Sequence, residues 1–592
     1  MDRQEEERLL KWFEESDDNN IALSESESDP YSDDGQFNGD SDYVPDSFRS
    51  DSGSERQSEE NNRNGTESEG SNQDLEENEE ENESLAENVA AESIWEEVQT
   101  EIPNFEFDST QSGIKIVGIE NMSPIDVFRQ IWNNDVMNLL LTSINTYGAK
   151  LLNTNRPKTR NSRSREFKPI TESELNKFLG SCILQGMIKV PIIRKLFSYN
   201  PFYYHPIFLH VLSGRRFEQI LRCFNATPAV FDEQDRLHKV RSLLDLVKQN
   251  SNSVYSPCEA LSLDESMLLF RGRLVFRQYI RNKKSKYGIK FYELTTHEGY
   301  ILNLEIYHGR DRNQPKPGKT SKTEELVLRL LGPYLNKGHH VYMDNFYNSV
   351  SLSSKLLTYK THSTGTLRVD RRGNPAVVIK KKLRKGEHIW RKKQNISVYV
   401  SKWKDKRNVC AITTGYKPKM ITVRNKYGVE KQKPCEIDGY NRHMSGIDKS
   451  DQMLSYYSCP RKTIRWYKKV LFRLLNISLW NSYFLYTRGV KKIKFIEFRE
   501  AVVRSLIEIE DIVDGRVFVK LQASIKTPKT VTKQQHFLED IPVPENYTKA
   551  HVFLKCRECT RNKKRKETRY RCETCPDKPA LCPAPCFKFW HQ

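Results

Sequence analysis

Charge is segregated so sharply along these 592 residues that only part of the chain can build a core. Residues 1–100 hold 33 Asp and Glu against 6 Lys and Arg, a balance of −27. The other 492 residues hold 45 acidic and 89 basic side chains, a balance of +44. The acidic stretch is rich in Ser, Asn and Gly and too poor in apolar groups to offset the entropy of ordering its backbone. Residues 1–115 are therefore expected to form a disordered acidic tail. Runs such as Ser24-Glu25-Ser26-Glu27-Ser28-Asp29 look like acidophilic-kinase sites, and phosphate would deepen the charge. The basic body is expected to seek a polyanion, either nucleic acid or an anionic membrane.

Membrane insertion and secretion are not expected. The start, Met1-Asp2-Arg3-Gln4-Glu5, lacks the basic and apolar regions of a signal peptide. The most apolar run, 470–486, is interrupted by Arg473, Asn476, Ser478, Asn481 and Ser482 and reads as a buried helix.

The body divides by periodicity. Helical spacing dominates 116–257, with an apolar stripe from Pro124 to Trp132 and a capping-box pattern at Thr171 and Glu174. A basic loop, 155–165, joins two of these helices and suits phosphate contact or simple solvation. Short alternating runs at 260–264, 288–294, 300–307, 340–344 and 365–368, with helices between the later ones, give an α/β order over 258–369. Residues 370–436 are strongly basic and read as a β-rich insertion. Helical character returns over 437–520, and 521–550 reads as a linker containing Pro528, Pro542 and Pro544.

Two of the apolar runs end in carboxylates, Leu261-Ser262-Leu263-Asp264 and Val341-Tyr342-Met343-Asp344. That pattern puts negative charge at the carboxyl edge of a sheet, where α/β active sites form. Asp448 and Asp451 stand at i and i+3 of a helix start. Converging carboxylates repel unless a cation joins them, and hard oxygen ligands suit Mg²⁺ or Mn²⁺. Two such ions would carry +4 against three Asp at −3, leaving a surplus for a scissile phosphate. Cations interleaved with aromatics lie beside each acidic segment. Arg271, Arg273, Lys283, Lys286 and Lys290 follow Asp264, and Arg461, Lys462, Arg465 and Trp466 follow Asp451. These nine are candidate DNA contacts. Trp466 either stacks on an unpaired base or packs on the core.

Together, Asp264-Glu265 with Phe270-Arg271-Gly272-Arg273, Tyr279-Ile280 through Lys286-Tyr287-Gly288-Ile289-Lys290, Met343-Asp344-Asn345-Phe346, and Gly446-Ile447-Asp448 with Asp451-Gln452-Met453 resemble piggyBac-type DDE transposases. The resemblance covers roughly 120–592. It implies an RNase H-like catalytic domain interrupted by the insertion and flanked by helical dimerisation and DNA-binding parts. It further implies catalytic, metal-binding Asp264, Asp344 and Asp448, with Asp451 associated. The implied activity is metal-dependent cut-and-paste transposition of double-stranded DNA by a nuclear homodimer. Terminal repeats would be cut through hairpin ends and joined at TTAA targets. The alternative is a domesticated, transposase-derived DNA-binding protein without productive transposition.

Six of the 12 cysteines are scattered, and six fall in Cys556-x2-Cys559, Cys572-x2-Cys575 and Cys582-x3-Cys586, followed by His591. Paired steps of this kind place thiolates on Zn²⁺, either in one four-Cys site or in a crossed pair of sites. Seven ligands leave an eighth open, with His551 a possible one, in a finger spanning 551–592. The basic spacer 561–571 and the run 380–385 also suit nuclear localisation. The resemblance implies that the finger reads terminal repeats, whereas a finger of this kind can also bind protein. Pro317-Gly318-Lys319-Thr320 shares the end of a phosphate-binding loop, but Asn313 stands where its first Gly belongs.

Overall fold

The computed structural model describes residues 94–153, 167–190, 192–280, 283, 285–309, 321–424, 428, 430–459, 463, 465–508 and 536–591. Residues 1–93, the loop 155–165, the segment 317–320, Arg461 and Lys462 lie outside the described residues. The chain forms two compact units, 1–510 and 511–592.

The first unit opens its helical part with α1 (Pro124–Ile131), α2 (Asn134–Leu152) and α3 (Glu172–Met187). The expected capping box starts α3: Thr171 Oγ1 accepts from Glu174 N at 3.3 Å, and Glu174 Oε2 accepts from Thr171 N at 3.3 Å. Two of the four donors left unpaired at a helix start are thereby satisfied. The short α4 (Pro206–Val211), α5 (Gly214–Cys223) and α6 (Arg241–Val254) complete this part.

A mixed sheet of ten strands follows among the described residues. In chain order these are β1 (Trp95–Glu96), β2 (Ala260–Leu269), β3 (Gln278–Tyr279), β4 (Tyr287–Thr296), β5 (Ile301–Ile306), β6 (His340–Met343), β7 (His362–Thr366), β8 (His388–Lys393), β9 (Tyr399–Lys404) and β10 (Asn408–Thr413). They lie in the order β1, β8, β9, β10, β7, β6, β2, β4, with β3 and β5 both on the outer edge of β4. Only β2–β6 and β6–β7 run parallel. Parallel neighbours need crossovers, which α7 (Lys322–Leu331) and α8 (Val350–Thr358) supply. This is the α/β, RNase H-like arrangement expected. The insertion is a meander, β8 to β10, that extends the same sheet from β7 (Ala411 opposite Thr366) and adds the short helix α9 (Ala376–Ile379). It closes over a small core of its own that includes Val378, Val398, Val400 and Ile412.

The end of the expected tail behaves differently from its composition. Trp95 and Glu96 pair with Lys393 and Lys392 on the open edge of the insertion. Glu96 and Lys392 are 2.8 Å apart, and Thr100 N donates to the Tyr399 hydroxyl at 3.0 Å. His362 Nε2 meets the Pro103 carbonyl at 3.0 Å. Acidic side chains bind here because the covered edge is basic, so regular structure begins well before the expected boundary at residue 115.

Behind the sheet lie α10 (Cys435–His443), α11 (Gly446–Tyr456), α12 (Trp466–Gly489) and α13 (Phe495–Leu506). The long α12 is buried over most of its surface and shares one continuous core with α1, α6 and the sheet. Asn481 shows how a polar residue is accommodated in it. Asn481 accepts from Ile301 N at 3.0 Å and donates to Ile301 O at 2.8 Å, finishing the edge of β5. No helix among the described residues is long and apolar enough to cross a membrane.

The second unit begins its described part at His536. Leu538–Asp540 pairs with Tyr570–Cys572, and Leu554–Lys555 pairs with Glu567–Thr568. Two short helices, α14 (Arg557–Arg561) and α15 (Cys586–Trp590), pack around buried cysteines.

Candidate active site and metal-binding finger

Strand register brings the first two carboxylates together. Leu263 opposite Met343 is the last parallel pair of β2 and β6, so the next residues, Asp264 and Asp344, stand side by side at the sheet's carboxyl edge. Thr366 Oγ1, from the end of β7, donates to Asp344 Oδ1 at 2.8 Å. Asn348 Nδ2 ties the turn down by donating to the carbonyls of Met343 (2.8 Å) and Thr366 (2.9 Å). This close approach requires Gly365, where a Cβ would collide with the Met343 carbonyl.

Asp448 arrives on the first turn of α11, where the helix dipole favours a carboxylate. Gly446 lets that turn lie against β4, since a Cβ there would collide with the Thr296 carbonyl and Thr295 Oγ1. Tyr440, on α10, senses all three acids: burial first, then the charges of Asp344, Asp264 and Asp448, hold its phenol well above the usual range. Neither strand pattern nor charge pattern marked Tyr440 in the sequence. Burial, aided by the neighbouring Glu265 and Asp344, pushes the Asp264 carboxyl up to about 7, with Lys283 opposing. A buried carboxyl that resists ionisation beside other carboxylates is one that a divalent cation would relieve. The three oxygen donors fit Mg²⁺ or Mn²⁺.

Asp451 has another partner. Arg473 Nη2, from α12, donates to Asp451 Oδ1 at 2.5 Å and to Glu293 Oε1 at 3.3 Å. Ser266 Oγ donates to the same Glu293 oxygen at 2.6 Å. Burial opposes the Arg473 charge, and the two carboxylates more than offset it. Glu293 pairs directly across from Asp264 on β4. Asp451 thus helps to lock α11, which carries Asp448, onto the sheet. The sequence signal for this network was a lone Arg inside an apolar helix and a lone Glu inside an apolar strand.

The candidate DNA contacts separate. Arg271, Arg273 and Lys286 are exposed and Arg465 is half-buried before α12. Lys283 Nζ donates to the Glu265 carbonyl at 3.0 Å, and Lys283 and Lys290 each lie 3.9 Å from the Glu265 carboxylate. Lys290 also sits over the rings of Phe346 (4.6 Å) and Tyr292 (4.8 Å), so its charge is committed inside the fold. Trp466 is only 5% exposed and packs edge-on against Phe276 at 5.2 Å. Of the two expected roles, base stacking and packing on the core, this burial fits packing.

In the second unit the metal-binding residues form two sets of four, each with its ligand atoms within 4.8 Å of one another. Cys556, Cys559, Cys582 and Cys586 make one, and His536, Cys572, Cys575 and His591 make the other. The pairs therefore cross, one of the two arrangements left open by the spacing. The eighth ligand is His536 rather than His551, which instead meets Arg569 at 3.5 Å. His536 was missed because it lies in the expected linker, 20 residues before Cys556. Pairing of Leu538–Asp540 with Tyr570–Cys572 folds it back, so the finger starts before 551. His536 Nδ1 lies 3.5 Å from both Cys572 Sγ and Cys575 Sγ, and His591 Nε2 lies 3.3 Å from Cys575 Sγ. Zinc bond lengths in a tetrahedral site put neighbouring ligand atoms about 3.3–3.8 Å apart. His591 Nδ1 faces the Phe587 carbonyl at 2.8 Å, which orients Nε2 toward the site. The donor sets fit Zn²⁺.

Comparison with known proteins gives the family and the fold. A family model described as Transposase IS4 matches residues 123–483, and one described as DDE_Tnp_1-like zinc finger matches 532–592. The human PiggyBac transposable element-derived protein 3 is 26% identical over 423 residues, 69% of this chain and 68% of its own. The human PiggyBac transposable element-derived protein 2 is 24% identical over 415 residues, 67% of each chain. Among solved structures, a piggyBac transposase synaptic complex with hairpin DNA, determined by cryo-EM, has a similar fold. Its TM-score is 0.58 at 24% identity, covering 72% of this chain and 90% of that one.

Proposed function

The chain belongs to the piggyBac-type transposase family, and from that premise we propose that it cuts and rejoins double-stranded DNA at Asp264, Asp344 and Asp448. The observation that carries this reading is the register that sets Asp264 beside Asp344 at the end of two parallel strands, with the charges of both and of Asp448 acting on the Tyr440 phenol.

Asp264, Asp344 and Asp448 would hold Mg²⁺ or Mn²⁺. Bound there, the cation supplies activation of the attacking oxygen and charge stabilisation at the scissile phosphate. The protein supplies position. The Thr366 hydroxyl fixes the Asp344 carboxylate, and the Arg473–Asp451 pair fixes the helix bearing Asp448. Burial of Asp264 lowers the local dielectric, so each charge contact with a phosphate is stronger than it would be in water. Exposed Arg271, Arg273 and Lys286 offer countercharge for the DNA backbone.

Within this reading the finer steps follow the family pattern. Terminal repeats are nicked, the ends pass through hairpins, and the element is joined at TTAA. The protein acts as a homodimer in the nucleus, and the zinc-loaded finger reads the repeats. The basic spacer 561–567 is exposed and available to phosphate. The test is excision of a reporter flanked by the matching ends in cells. Wild type should excise and Asp264→Asn should not. Binding of those ends without excision by either protein would favour the domesticated reading.

A further inference from the structure

With Trp466 buried, the aromatic surface that could receive an unpaired base lies elsewhere. Residues 269–291, which join and include the ends of β2 and β4, carry eight Lys and Arg and no Asp or Glu. Their aromatic rings divide into two groups. Phe270, Phe276 and Phe291 are buried and anchor the segment, whereas Tyr279 and Tyr287 are each 47% exposed. The two tyrosines are direct cross-strand partners of β3 and β4, with ring centroids 4.7 Å apart. The Arg277 guanidinium lies 5.7 Å from the Tyr287 ring centroid. Arg277 Nη1 is pinned by the carbonyls of Arg271 (3.0 Å) and Gly272 (3.2 Å), so this cation is held in place over the ring. Leu269 and Val275, in the same segment, are also exposed.

We propose that Tyr279, Tyr287 and Arg277 form a stacking platform for unpaired bases of a single DNA strand. The inference rests on the DNA reading above and names a subsite of it. A buried aromatic pair would need no explanation, but exposed rings with a fixed guanidinium at one of them, in a segment without a carboxylate, suit a polyanion with π faces. Bases in a duplex already stack on each other, so a platform of this kind selects strands that have opened. Tyr287 lies six residues along β4 from Glu293, the cross-strand partner of Asp264, or about 20 Å. A strand freed near the carboxylates would reach it.

The experiment uses the full chain with two probes: a mixed-sequence single strand carrying 2-aminopurine, and the duplex of the same sequence. Wild type should change the 2-aminopurine emission of the single strand. The double variant Tyr279→Ala, Tyr287→Ala should lose that signal and bind the single strand tenfold more weakly or worse, with duplex affinity within twofold. Phenylalanine at both positions should restore single-strand binding. Leucine at both positions keeps apolar contact without π faces and should not, which guards against an alanine variant that simply unfolds. Unchanged single-strand binding by the double variant would overturn the platform, as would equal losses on both probes. A wild type that binds neither probe would overturn the DNA reading as well, whereas sound duplex binding with no tyrosine effect removes the platform alone.

Discussion

Arg473 donates to Asp451 at 2.5 Å while also reaching the fully buried Glu293, so one guanidinium joins a helix to the strand beside Asp264. The pair makes Asp451, expected as an acidic residue associated with the three metal-binding Asp, a positioning residue for Asp448, three residues earlier on the same helix. Asp451→Asn keeps an oxygen that can accept from Arg473 and should retain DNA cleavage within about tenfold, since a hydrogen bond contributes roughly 1 kcal/mol net. Asp448→Asn should abolish cleavage. Equal loss in both variants, measured in the same cleavage assay, would put Asp451 among the catalytic residues rather than the positioning ones.

Removing Arg473 exposes the cost of the network. Arg473→Met leaves the fully buried Glu293 carboxylate and the half-buried Asp451 without a cation and should destabilise the first unit by about 3–5 kcal/mol. Adding Glu293→Leu should recover part of that loss, because a buried ion pair replaced by apolar groups of similar volume is often near neutral. Denaturant unfolding of the single and double variants checks the sign. A double variant less stable than Arg473→Met would show that Glu293 contributes without Arg473.

Zinc content separates the two histidines near the finger. Elemental analysis of the purified chain should find about two zinc ions per chain, as two four-ligand sets require. His536→Ala should lower the count toward one and His551→Ala should leave it unchanged. The reverse pattern would restore His551 as the ligand.

Acid should weaken the start of α3. Hydrogen bonding to Arg216, opposed by burial and aided by the Arg216 charge, holds the Glu174 carboxyl below its ordinary value of 4.5. A depressed carboxyl contributes stability that is fully present above the unfolded value and lost as pH falls through the folded one. Wild type should therefore lose stability relative to Glu174→Gln as pH drops below about 4.5. A constant difference between the two from pH 7 to pH 3 would show that the Arg216 contact carries no net stabilisation.

The carboxylate edge was legible because two apolar runs each end in Asp and cations interleaved with aromatics follow the first, and the Thr171–Glu174 cap because both residues sit within one helical turn. Long-range pairings were not visible. Arg473 is 22 residues from Asp451, and the i, i+3 spacing of Asp448 and Asp451 says only that their faces are close, not what meets each one. Composition averaged over the acidic stretch concealed the few residues near Trp95 that complete a basic strand edge. Burial of Trp466 depended on Phe276, which no local pattern connects to it. Cysteine spacing found seven of eight finger ligands, and the eighth required a strand pairing to bring it back.

Divalent-cation binding to the purified, zinc-loaded chain tests the shared carboxylate site most directly. Titrated with Mn²⁺ by calorimetry, wild type should bind at the carboxylates, and Asp264→Asn, Asp344→Asn and Asp448→Asn should each lose that binding while their zinc content stays the same. Full Mn²⁺ binding by any one of the three variants, or none by the wild type, would contradict a single metal centre built by these three residues.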